Sequence, residues 1–198
     1  MFEEELIALE NKVKNNTEKT DLIAFYGSSS IRLWSSLSED LAPAKSINLG
    51  FGGSTILDCI AQADRVLYPL KPAKIYFYAG DNDIGNEATT VDVFQRFQTF
   101  FYNTMKALPL VEIVYVSIKP SPQRAHYRSI IESANMMIQE FIATKDNCSF
   151  LNIYDPMILP NGKVDGSLFI EDDLHLNKKG YELWASIFRE SLKKSFAQ

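Results

Sequence analysis

The chain alternates short apolar runs with longer stretches in which apolar residues recur every three or four positions. Leu22 to Tyr26 is a continuous apolar run closed by Gly27, and Val111 to Ile118 is nearly unbroken. Runs of this kind read as strands buried on both faces, as in parallel sheets. Lys45 to Leu49, Lys74 to Ala79 and Ser149 to Tyr154 complete five expected strands. Helical stripes lie between them: Ile56, Ile60, Ala63 and Leu67, then Phe94, Phe97, Phe101, Met105 and Leu108. Tyr127, Ile130, Ala134, Met137 and Phe141 make a third, and Tyr181, Trp184, Phe188 and Leu192 a closing one.

Start signals sharpen these helices. Thr55 with Asp58, and Thr89 with Asp92, have capping-box spacing. Ser121-Pro122 offers serine at an N-cap and proline at the first helical position, which predicts a helix starting there. Residues 30–44 read as a mostly helical connection broken by Pro43. A loop rich in Gly, Asp and Asn runs from Asp155 to Asp173, and the closing helix begins near Asn177. Phe2, Leu6, Leu9 and Val13 predict a short amphipathic helix within residues 1–16, packed beside the sheet without chemistry of its own. A polar linker, Asn15 to Asp21, follows it. Five β–α units argue an α/β fold: a doubly wound, five-stranded parallel sheet in three α/β/α layers. Residues 1–198 are expected to form one domain with its core at 22–194.

Composition adds exclusions. At 198 residues the chain can bury roughly 70% of its extended surface in one core. A net charge of −5, without a basic block, gives no footprint for nucleic acid. Cys59 and Cys148 fit neither a disulfide framework nor a metal site and are expected to be reduced core residues. The acidic start, Met-Phe-Glu-Glu-Glu, is unlike a signal peptide, and no apolar run reaches transmembrane length. A cytoplasmic location is the default expectation.

Candidate chemistry gathers at strand ends. Gly27 turns into Ser28, Ser29 and Ser30, and the second strand feeds Asn48-Leu-Gly-Phe-Gly-Gly53. The third ends in Gly80-Asp-Asn-Asp-Ile-Gly85, and the late loop ends in Asp172-Asp-Leu-His175. In open α/β sheets all four should converge on the edge where ligands bind. A serine needs a base to act as a nucleophile. Only two histidines exist; His126 reads as surface decoration, whereas His175 can reach the first strand's carboxyl end. Asp172, three residues before His175, can orient the imidazole, with Asp173 as a competitor. Gly53 N–H, the Asn82 amide and the nucleophile's own N–H can stabilise an oxyanion; losing one such donor costs about 100- to 1000-fold in turnover. Asp81, Asp83 and Asp172 are residue types that hold hard cations but lack ligand spacing. Arg32 and Trp34 read equally as packing residues or as the mouth of a site. Phe51 and Ile84, beside the oxyanion donors, are candidates for an apolar acyl wall.

With these residues in place the chain resembles the SGNH hydrolases, or GDSL esterase/lipase family, over about Phe25 to Tyr181. The family's Gly-Asp-Ser block corresponds to Gly27-Ser28-Ser29, with serine at 28 in place of aspartate, and identifies Ser29 as the nucleophile. Its second block corresponds to Asn48 through Gly53, its Gly-x-Asn-Asp block to Gly80 through Asp83, and its Asp-x-x-His block to Asp172 through His175. The resemblance favours Asp172 over Asp173 and leaves Ser28 as a minor rival nucleophile. It implies the flavodoxin-like SGNH hydrolase fold and a serine esterase needing no metal or organic cofactor. The overall look is similar to bacterial relatives of platelet-activating-factor acetylhydrolase catalytic subunits. That branch implies short acyl groups, often acetyl, on sugar-like or lipid-like alcohols.

Two other readings compete. A flavodoxin-like nucleotide or flavin binder would use the serine loop without needing His175. A non-catalytic interaction protein would need none of the strand-end chemistry. Substrate discrimination is expected in loops 30–44, 84–90, 119–126 and 155–171. A homodimer is allowed, although no heptad pattern demands one.

Overall fold

All five apolar runs form strands in the computed structural model, which describes residues 2–18 and 20–195. They are β1 (Ile23–Gly27), β2 (Ser46–Gly50), β3 (Lys74–Tyr78), β4 (Glu112–Val116) and β5 (Cys148–Leu151). Every pairing is parallel, in the order β2-β1-β3-β4-β5. The chain therefore steps outward from β1 on one side and then returns to build the other. The gap above the carboxyl ends of β1 and β3 is the topological switch point, where this architecture binds ligands.

Helices cover both faces: α1 (Glu3–Lys14), α2 (Ser29–Arg32), α3 (Leu37–Asp40), α4 (Ile56–Val66), α5 (Asp81–Gly85), α6 (Thr90–Ala107), α7 (Arg128–Ile142) and α8 (Lys178–Ser195). Period-two alternation along the strands divides the apolar residues between two cores. Ala24, Tyr26, Ile75 and Phe77 face Leu6, Cys59, Phe100 and Ile138. Ile23, Phe25, Tyr76 and Tyr78 face Trp34, Trp184 and Phe188. Aromatic bulk fills both, including Phe77 stacked on Phe100 with centroids 3.7 Å apart. Fully burying one such side chain is worth about 1.5–3 kcal/mol.

Local signals explain most boundaries. Thr55–Asp58 and Thr89–Asp92 form complete capping boxes at α4 and α6. Both cysteines are free and buried, as expected from the composition. Among the described residues no helix is long and apolar enough to cross a membrane.

The Ser121-Pro122 expectation fails. A turn and a 3-10 segment, Ala125–Tyr127, precede α7, which starts at Arg128, and the Ser121 hydroxyl caps nothing. Tertiary contacts override the local signal. Gln123 N–H donates to Asp173 O at 3.1 Å, and the Arg124 guanidinium reaches back to Asp81 and Asn82. The buried face of α7 is also rotated from the expected stripe: Ile131, Ala134, Ile138 and Ile142 are inside, while Tyr127, Ile130 and Phe141 are only partly buried.

Candidate active site

Sheet register brings three of the strand-end loops to one level. Gly27 pairs with Gly50 of β2 and with Tyr78 of β3. Just beyond, Phe51 N–H donates to Gly27 O and Ser28 N–H to Tyr78 O, each at 3.0 Å. Gly27 has φ +146°, and a Cβ there would lie 1.8 Å from Tyr78 O, so only glycine fits this turn. Ser28 is extended and precedes Ser29, the first residue of α2. Asn48 holds that short helix by donating to Ile31 O at 2.6 Å.

The late loop completes the arrangement. His175 Nε2 lies 3.0 Å from Ser29 Oγ, and His175 Nδ1 lies 2.6 Å from Asp172 Oδ2. Asp172 Oδ1 accepts the N–H groups of Leu174 and His175, both at 2.9 Å. Partial burial pulls the Asp172 pKa upward. The His175 side chain and those backbone donors outweigh it and bring the carboxyl down to about 2. An ionised Asp172 fixes the imidazole with its proton on Nδ1, leaving Nε2 free to accept from Ser29. Asp173 does not compete: it sits in a turn at φ +56°, bonded through its backbone to Ile170 and Gln123. The other serine rival, Ser28, is buried, and His175 bonds Ser29 instead.

Three N–H donors flank the serine. Neither Ser29 N–H nor Gly53 N–H has a protein acceptor among the described residues. Gly53 has φ +68°, and a Cβ added there would meet nothing within 4 Å, so open space adjoins it. Asn82 Nδ2 spends one proton on Ser54 O at 3.0 Å, while its Oδ1 accepts from Arg124 Nη2 at 3.2 Å. Those two bonds fix the amide orientation, nitrogen toward the Ser54 side.

Two of these donor loops are held from behind by residues that no sequence motif singles out. Asp81 is buried between Lys119, at 2.9 Å, and Arg124. Burial raises its pKa, but the two cations outweigh burial and leave the carboxyl below its ordinary value. On the other side, Glu5 of α1 accepts Gly52 N–H at 2.6 Å, one residue before Gly53. The N-terminal helix, expected to have no chemistry, thus touches the donor loop. Asp83 accepts from Ile56 N–H and Arg96 at 2.9 and 2.8 Å; burial still raises its pKa. Among the described residues no three metal-ligating side chains gather into a site.

The expectation of an apolar acyl wall at Phe51 and Ile84 is corrected, and of the two readings of Trp34 its burial favours packing. Trp34, Phe51 and Ile84 are each at most 1% exposed and belong to the two cores. Trp34 donates its indole N–H to Asp40 at 2.7 Å and stacks on Tyr181. Hydrophobic burial claims these side chains, so they cannot line a substrate surface. Arg32 stays half exposed, beside Glu5 at 3.7 Å. His126 is exposed and lies against Tyr127, as surface decoration would.

Comparison with known proteins fits this geometry. The model of the GDSL-like lipase/acylhydrolase family matches residues 21–183. The chain belongs to that family. Membership makes it a carboxylic ester hydrolase, and it leaves the flavin-binding and non-catalytic readings without support of their own. No curated protein sequence matches the chain. Among solved structures, a Streptococcus pneumoniae protein provisionally described as a platelet activating factor is 21% identical. That match covers 96% of this chain and 92% of the other, with a TM-score of 0.84. A GDSL-like lipase from Bacteroides thetaiotaomicron is 17% identical, covering 97% of both chains at a TM-score of 0.80. The acetyl xylan esterase AlAXEase is 19% identical over 86% of this chain and 98% of its own, at 0.70. These likenesses establish the α/β/α fold of this GDSL hydrolase.

Proposed function

We propose that the protein is a serine esterase for short-chain, chiefly acetyl, esters, with Ser29 as nucleophile, His175 as general base and Asp172 as its orienter. The continuous hydrogen-bonded line from Ser29 Oγ through His175 to Asp172 carries this reading. His175 Nε2 takes the proton as Ser29 Oγ attacks the ester carbonyl carbon. The oxyanion rests on Ser29 N–H, Gly53 N–H and the Asn82 amide. The tetrahedral intermediate then expels the alcohol oxygen, which receives the proton from His175. Water attacks the acyl-serine in the second half, its proton going to His175 and then to Ser29 Oγ, and the carboxylic acid departs. No step calls for a metal or organic cofactor.

The acyl preference rests on two supports. Phe51 and Ile84 are spent in the core, so they offer no apolar channel beside the oxyanion donors. A structural neighbour is named an acetyl xylan esterase. The substrate is the acetyl ester of a sugar or of a lipid-like alcohol. Hydrolysis of aryl esters from acetyl to long acyl, with the Ser29→Ala protein alongside, tests the proposal. Turnover should peak at acetyl or butyryl and vanish in the variant. Rates that rise with chain length would overturn the acyl preference, and equal rates in both proteins would remove Ser29.

A further inference from the structure

A cavity of about 440 Å³ opens between loop 119–126 and loop 155–171, lined by Ser121, Arg124, Arg128, Ile131, Tyr154 and Lys163 among others. It adjoins the candidate oxyanion hole through a single side chain. Arg124, which forms part of its wall, also bonds Asn82 Oδ1 at 3.2 Å. Arg124 thus links the wall of the cavity to the loop that carries Asn82.

Its charge runs against that of the chain, whose net charge is −5. No carboxylate lines it. Arg124 and the underlying Lys119 share one carboxylate, Asp81. Arg128 pairs with Glu132 at 2.8 Å, and Glu132 also accepts from Tyr154. Lys163 has no carboxylate partner among the described residues. Of the three cations that line the cavity, Arg124 and Arg128 have carboxylate partners and Lys163 has none, leaving one uncompensated positive charge on its wall. The apolar remainder, Ile131 and Val164 included, suits the carbon frame of a small alcohol.

We propose that this cavity binds an anionic group, phosphate or carboxylate, carried on the alcohol portion of the ester. The claim about the ester rests on the esterase reading above; anion binding by the cavity does not. Arg and Lys donors favour such oxygens through charge-assisted hydrogen bonds.

The test has two readouts on the full chain. First, inorganic phosphate and benzoate are titrated calorimetrically into wild type, Lys163→Ala and Arg128→Ala. Lys163 is exposed and Arg128 half exposed, with Arg128 also donating to Gly162 O at 2.7 Å, and thermal unfolding checks that each variant is folded. Saturable binding of at least one ion is expected, weakened about tenfold by Lys163→Ala, the loss of one charge-assisted contact. Binding of phosphate alone, or of benzoate alone, identifies which anion the site takes. Absence of saturable binding, or equal binding to all three proteins, would overturn the proposal. Second, kcat/KM is compared for 3-carboxyphenyl acetate and the near-isosteric 3-carbamoylphenyl acetate. The ratio should favour the carboxylate in wild type and fall about tenfold in Lys163→Ala. An unchanged ratio would overturn the placement of the anion on the alcohol. Ion binding that depends on Lys163, with neither acetate hydrolysed, would sink the acetyl-ester reading and leave the anion site standing.

Discussion

Replacing Asp172 with asparagine separates orientation from mere presence of the relay. Three donors converge on this carboxylate: the N–H groups of Leu174 and His175 on Oδ1, and the His175 ring on Oδ2. In Asp172→Asn the two backbone donors cannot turn away, so they hold the amide oxygen. The amide NH2 then faces His175 Nδ1 and makes that nitrogen an acceptor. The ring proton moves to Nε2, which can no longer take the proton of Ser29 Oγ. A wrong tautomer of this kind costs about 10⁴-fold in kcat, equivalent to about 5.5 kcal/mol of barrier. Stability should change by only about 1 kcal/mol, since both backbone donors stay satisfied. Because the wild-type carboxyl titrates near 2, it stays ionised across neutral and mildly acid pH, so the kcat profile should show no step from it there. Steady-state hydrolysis of an aryl acetate, with thermal unfolding as a folding check, measures both. Asp173→Asn is the control, because Asp173 contributes through its backbone and asparagine tolerates its φ of +56°. A loss below tenfold in Asp172→Asn, or an equal loss in Asp173→Asn, would refute the reasoning.

Other substitutions probe the donors and their supports. Asn82→Ala should lower kcat by about 100- to 1000-fold with KM little changed; a purely KM effect would show that the amide binds ground-state substrate only. Glu5→Ala frees the Gly52 N–H from its carboxylate, and kcat should fall about tenfold with partial recovery in Glu5→Gln. Unchanged turnover in Glu5→Ala would show that the loop carrying Gly53 needs no support from α1. Asp81, ionised between Lys119 and Arg124, has a lowered pKa, so its stabilising effect is complete above the ordinary carboxylate value of about 4 and fades as pH falls through the depressed one. Asp81→Asn should therefore cost about 3–5 kcal/mol at pH 7, with the gap from wild type in urea midpoint closing in strong acid; a pH-independent gap would contradict this.

Much of this architecture was legible in the chain because its signals are local. Short continuous apolar runs bounded by turn residues read as strands buried on both faces, and the Thr55 and Thr89 boxes marked helix starts within one turn. Short spacing pointed to an aspartate beside His175 but left Asp172 and Asp173 both open, and the family resemblance favoured Asp172. The errors share a cause: partners distant in sequence. Ser121-Pro122 had a valid start signal that contacts from Gln123 and Arg124 overrode. Phe51 and Ile84 lay beside motif residues, but adjacency in sequence did not say which face they took, and burial claimed them. Glu5 meets Gly52 across 47 positions, and Lys119 meets Asp81 across 38, so no window of the sequence contains either pair. Both belong to the shell that holds the donors, where long side chains reach between elements.

Covalent labelling tests the central claim, that Ser29 is the nucleophile, most directly. The protein would be treated with a fluorophosphonate and digested, and the modified peptide sequenced by mass spectrometry. The expected result is one adduct, on Ser29, absent from Ser29→Ala and formed far more slowly in His175→Ala. An adduct on Ser28 or Ser30, or undiminished labelling of Ser29→Ala, would contradict it.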